Sequence, residues 1–192
     1  LKTQYYGGIK KYQWASIPLA IHGVVVVAGG EKVSIVIGES DDEPVFSIPD
    51  ILPHLSRNVQ DDRKARDVIK GEELRVLLGS IPENTESKEI KDKVKYAVMK
   101  KLNEKYGIKE EDFISAEIEI VPAGKARDVG LDGGLVGSYG HDDRICGYTS
   151  IVSILDIGSE KEPPQKTCLC YLADKEEIGS TGATGMESDY LE

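Results

Sequence analysis

Long apolar runs are missing from this chain. The longest β-branched stretch lies within Gly23 to Gly29 and is strand-sized. It falls well short of the ~20 residues that a membrane-spanning helix needs. The opening Leu1-Lys2-Thr3, with no initiator Met and no apolar h-region, leads us to expect no secretory leader. It starts in mid-pattern, which we read as a piece cut from something longer. Basic residues are outnumbered, 24 Lys and Arg against 34 Asp and Glu, for a formal net charge of −10. Phosphate binding needs a basic face, so nucleic acid is disfavoured as a partner. Cysteine is scarce. Cys146, Cys168 and Cys170 are odd in number and lack the spacing of a metal site. We read them as small buried hydrophobes in a reducing compartment, which points to the cytoplasm. Histidine is scarcer than a metal-rich site would ask, with only His22, His54 and His141. No internal repeat is evident.

The first part of the chain is rich in short β-branched segments. Leu19 to Ala28 reads as a strand, Gly29-Gly30-Glu31-Lys32 as a hairpin turn, and Val33 to Ile37 as the return strand. His22, inside the first strand, reads as packing. Glu39 to Pro44 is an acidic loop, and Val45 to Ile48 a third short strand. No helix-period segment interrupts these strands, so a small antiparallel sheet or barrel is expected. Pro49 to Leu55 reads as a short helix with Pro49 near its start. Residues 56–72 are polar, a loop and a candidate for disorder. Leu74 to Leu78 is one more strand.

Residues 86–106 carry the best helix signal. Ile90, Val94, Ala97, Val98 and Leu102 fall on one face, with lysines and glutamates opposite. Gly107 is a natural stop. Ser115 to Val121 alternates as a half-exposed strand. The glycine-rich residues 123–140 read as a connector, and we place a domain boundary near 130, giving units 1–130 and 131–192.

Two acidic motifs lie in the second unit. The first is Gly137-Ser138-Tyr139-Gly140-His141-Asp142-Asp143-Arg144-Ile145-Cys146. Ile145, Tyr148, Ile151, Val152 and Leu155 follow at helical spacing. An Asp here can cap that helix, or it can bind cations. The second motif is Asp174-Lys175-Glu176-Glu177-Ile178-Gly179-Ser180, after the apolar run Thr167 to Leu172, which has the look of a buried strand. Acids at a strand end are where α/β enzymes place chemistry. In an acidic chain, an adjacent Glu pair is more often a solvated surface pair.

These stretches resemble one family, the aspartyl aminopeptidases, also called the aminopeptidase I family of dinuclear zinc exopeptidases. The resemblance rests on five blocks in the family's order: TQYYGGIKKYQWASIPLAIHGVVV at 3–26, FSIPDILPHLSR at 46–57, EEDFISAEIEIVPAGKARDVGLD at 110–132, GSYGHDDRICGYTS at 137–150 and DKEEIGSTGATGM at 174–186. A related metallopeptidase family with the same two-domain plan fits the first two blocks much less well.

The resemblance implies a mixed α/β fold. Residues 1–130 would form a small antiparallel, barrel-like interdomain or dimerisation module with one amphipathic helix. Residues 131–192 would form the first βα part of a catalytic domain. It implies two divalent metal ions, zinc first, with cobalt or manganese as alternatives. Asp142 would bridge the metals, Glu177 would be a terminal ligand, and Glu176 the general base. Asp143 and Asp174 would sit outside the coordination sphere, and His141 is not at a ligand position. His54 would reach into a neighbouring subunit to hold substrate. Peptides would be the substrates, losing N-terminal residues, acidic ones among them, and the protein would be a homo-oligomer built from dimers. The family uses three more ligands: a His in a His-x-Asp motif before the first block, and an Asp and a His after the last. This chain has none of them, so it would be inactive alone. The alternative is a non-catalytic assembly module.

Overall fold

The structure, a computed structural model, describes residues 1–5, 7–182 and 184–189. Contacts divide the chain into two units, Leu1–Tyr5 with Ile9–Lys125, and Tyr6–Gly8 with Ala126–Glu192. The architecture is mixed α/β with small antiparallel sheets.

The first unit is built on β1 (Leu19–Val26), β2 (Lys32–Ile37) and β3 (Ala116–Pro122), antiparallel in the order β2-β1-β3. Period-2 alternation sorts their side chains. Ile21 and Val25 of β1, Ile35 of β2 and Ile108 form one buried cluster, joined by Val33, Ile37, Ile118 and Ile120. Residues of the opposite parity, among them His22, Val36 and Glu119, fall on the other face in register. A second cluster joins Leu19, Ile48, Ile69, Leu74 and Val76, with Trp14, Phe46 and Val68 packed against it. Leu19, Val25, Ile35 and Ile108 are the largest fully buried side chains. Burial of each stabilises the unit by about 1.5–3 kcal/mol.

The sheet does not close. Among the described residues it has three strands, and a barrel would need further strands to pair both edges. The segments expected as further strands make isolated bridges only: Phe46 with Leu19, Ser47 with Leu77, and Lys2 with Arg75. The hairpin is as expected, with the Gly30 N–H donating to the Val27 carbonyl at its turn.

Four local expectations need correction. The short helix α1 (Pro53–Ser56) starts at Pro53, not Pro49; proline is pre-organised for a first helical position. Residues 56–72 are ordered into short turns, because Val68 and Ile69 anchor them: Ile69 is buried in the core. The long helix α2 (Lys93–Tyr106) omits residues 86–92, because Asp92 caps it by accepting from the Lys95 N–H. His22 is not packing. Its Nε2 lies 2.7 Å from Glu39 Oε1, with both side chains over one-third exposed. At the other end of α2 the expected stop is present: Gly107 has φ +70 and its N–H donates to Asn103 O.

The acidic loop is tied down by one carboxylate. Glu43 accepts from Lys105 Nζ at 2.7 Å and from the Gly38 N–H at 3.0 Å. The Lys105 hydrogen bond, then that of Gly38, holds its pKa down at about 2. A depressed carboxylate contributes stability above its unfolded value near 4.5, lost as pH falls through the folded value. Glu43→Gln should therefore lower the melting temperature at pH 7 and lower it much less near pH 2. Equal losses at both pH values would refute this.

The second unit contains β4 (Arg127–Val129) and β5 (Leu135–Gly137), an antiparallel pair, and helix α3 (His141–Ser159). The expected connector at 123–140 is thus partly a hairpin. Its turn uses Gly130 at φ +89 and Gly133 at φ +62, conformations that glycine adopts at low cost. The helix over 145–155 is present within α3, but Ile145, Tyr148 and Leu155 are more than half exposed. Every buried hydrophobic side chain among the described residues lies in the first unit. Thr167 to Leu172 is not a strand. A strand forms only by pairing, and no described segment pairs with it. Leu169 is 74% exposed, and of the three cysteines expected to be buried, Cys146 and Cys168 are exposed and Cys170 is only partly buried.

Candidate functional site

Asp142 stands where β5 turns into α3. Gly140 makes the turn at φ +79 and precedes α3 with no side-chain capping hydrogen bond of its own. Asp142 is itself non-helical within the first turn (φ −87, ψ 115), and its peptide bond to Asp143 is cis. The neighbours brace this turn. His141 Nε2 lies 3.1 Å from the Val136 carbonyl, and the Arg144 guanidinium sits 5.6 Å from the Tyr139 ring centroid. The Asp143 carboxylate beside it pushes the Cys146 thiol's pKa up.

Glu176 and Glu177 form a 3₁₀ turn with Ile178. The turn is fixed from both ends. Lys175 precedes it at φ +65 and Gly179 follows at φ +89. The Ser180 N–H closes back on the Lys175 carbonyl at 2.8 Å. Asp174 bridges to Gly185, and its N–H donates to the Thr184 carbonyl at 3.0 Å. The Lys175 N–H, foremost, holds the Asp174 carboxyl below its ordinary value, and Thr184 Oγ1 donates to it at 3.2 Å. Asp174 thus organises the turn that presents the two glutamates. Glu177 also meets a distant part of the chain: its Oε2 accepts from the Gly8 N–H at 3.5 Å. Nothing in the sequence named that partner.

His54 lies in the first unit, exposed on α1 between the exposed Leu52 and Leu55. Among the described residues no group of three or more His, Cys, Asp or Glu could hold a metal ion. Zinc sites are closed by three or four protein ligands, with nitrogen and sulfur donors common. Two carboxylates would fill part of such a donor set and leave it incomplete. No described helix is long and apolar enough to cross a membrane.

The family model for aminopeptidase I zinc metalloproteases matches residues 1–192. A probable M18 family aminopeptidase of Borreliella afzelii is 59% identical over the whole chain, which spans 41% of that relative's length. A crystal structure of aminopeptidase I from Clostridium acetobutylicum is similar, with a TM-score of 0.85 and 54% identity, over all of this chain and 40% of that one. A more distant relative, an aspartyl aminopeptidase of Caenorhabditis elegans, is 26% identical over 207 residues, covering 99% of this chain and 42% of the relative. With two acidic turns in place and a family match from end to end, the chain belongs to the aminopeptidase I zinc metalloproteases, the M18 family.

Proposed function

We propose that this chain is the part of an M18 aminopeptidase that supplies Asp142 as the bridging metal ligand, Glu177 as a terminal ligand and Glu176 as the general base. Bound zinc ions, two in this reading, would lower the pKa of a water and polarise the scissile carbonyl. Cobalt and manganese are also compatible with oxygen donors. Glu176 would take the water's proton and pass it to the leaving amine. The substrates are peptides, cleaved at the N-terminal residue, with acidic residues the first to test given the name of the nematode relative. Residues 1–130 would be the interdomain module, with His54 completing a neighbouring subunit's site in a homo-oligomer. Three unbridged cysteines suit a reducing, cytoplasmic location.

The observation that carries this reading is a contrast. The family match spans all 192 residues, while the described residues assemble no three-donor metal group. In this reading the remaining ligands would come from elsewhere in a longer polypeptide, in keeping with relatives of whose length the chain spans 41% and 40%. The isolated 192 residues should show no zinc-dependent hydrolysis of aspartyl, glutamyl or leucyl peptide substrates, and the full-length polypeptide should hydrolyse at least one. Turnover by the isolated chain would overturn the proposal of a partial site. Inactivity of both would favour the assembly-module alternative, which the exposed apolar side chains on α3 support.

A further inference from the structure

Gly7 and Gly8 are far from Glu177 in sequence and against it in space. The Gly8 N–H donates to Glu177 Oε2 at 3.5 Å. A Cβ on Gly7 would lie 2.6 Å from that same oxygen, 3.0 Å from the Glu177 Cβ and 3.3 Å from its Cδ. The obstruction thus involves the root of the glutamate side chain as well as its mobile tip. Gly7 also has φ +71, a region L side chains rarely adopt. A Cβ on Gly8, by contrast, would meet nothing within 4 Å.

We infer that Gly7 and Gly8 are positioning residues for the Glu177 carboxylate. Gly7 leaves the volume the side chain occupies, and Gly8 presents an N–H that orients one oxygen. The inference rests on the reading of Glu177 as a zinc ligand. A carboxylate held by one oxygen loses fewer rotamers on coordination, so its seat contributes to metal affinity without touching the metal.

The test is zinc affinity of the full-length polypeptide, read by competition with a chelating dye, with zinc alone as the probe. Gly7→Ala should weaken binding about tenfold or more, within the range for loss of a ligand's supporting contact. Gly30→Ala also places a side chain at positive φ (+88), but in open space, and should leave affinity unchanged. It separates backbone strain from contact with Glu177. Because Gly7 acts through Glu177, Gly7→Ala should add nothing to the loss already caused by Glu177→Gln. Should Gly7→Ala fail to fold, Gly8→Pro, which removes the N–H, should weaken zinc binding in the same direction. Normal affinity in Gly7→Ala with reduced affinity in Glu177→Gln would overturn the positioning role and leave the ligand reading standing. Normal affinity in Glu177→Gln would overturn both. Additive losses in the double variant would also overturn the positioning role.

Discussion

Glu176→Gln in the full-length polypeptide should lower kcat about 100- to 10,000-fold, the usual contribution of a positioned general base. The amide keeps the size and shape of the side chain but cannot accept the water's proton. KM and zinc content should stay within twofold, because Glu176 is assigned no metal bond. Glu177→Gln should behave differently and lose zinc first. The two neighbours are thus distinguished by which quantity falls. Their local geometry supports separate roles. Glu177 meets the Gly8 N–H, and the flanking positive-φ residues Lys175 and Gly179 hold both carboxylates in one short turn. Retention of more than a tenth of wild-type kcat in Glu176→Gln would remove Glu176 from the chemistry.

Gly23→Val should destabilise the first unit by about 3 kcal/mol, the upper part of the range for overpacking a well-packed site. Gly23 is central in β1, in register with Ile35 of β2 and Ile118 of β3. A Cβ there would come 2.3 Å from the Glu117 carbonyl oxygen and 2.9 Å from the Ile118 Cα. Both obstacles are backbone, so β3 itself would have to move away. That movement would disturb the β1–β3 pairing and the adjacent cluster of Ile21, Val25, Ile35 and Ile108. Chemical denaturation measures the effect directly. A valine variant within 1 kcal/mol of wild type would mean that the strands separate without loss. Favourable β propensity argues the other way, since valine is a better strand former than glycine. The backbone collision outweighs it here.

Local chemistry was legible in the sequence wherever it was decided locally. Gly29-Gly30 specified a hairpin, Gly107 ended a helix, and the alternation over 115–121 became β3. What misled was apolar character read without knowledge of partners. Thr167 to Leu172 has a strand's composition, yet strand formation needs a ladder, and among the described residues it forms none. Residues 56–72 erred in the opposite direction. Their charge concealed Val68 and Ile69, two side chains sufficient to fasten the loop to the core. His22 looked buried because its strand is apolar, but one-residue parity sends it to the other face, beside Glu39. At the candidate site, the acidic motifs and the glycine pair were each visible. The contact between Gly8 and Glu177 was not, because pairing across that sequence distance is decided by the fold.

The uncovered apolar side of α3 makes protein concentration an experimental variable. Ile145, Tyr148 and Leu155 are each more than half exposed. Removing such surface from water is favourable by about 25 cal/mol per Å². By mass action, anything able to cover it, including another molecule of the same chain, will do so more completely as concentration rises. A dilution series therefore belongs with every assay of the isolated 192 residues. Without one, self-association of this helix and loss of a catalytic partner would give the same silent result.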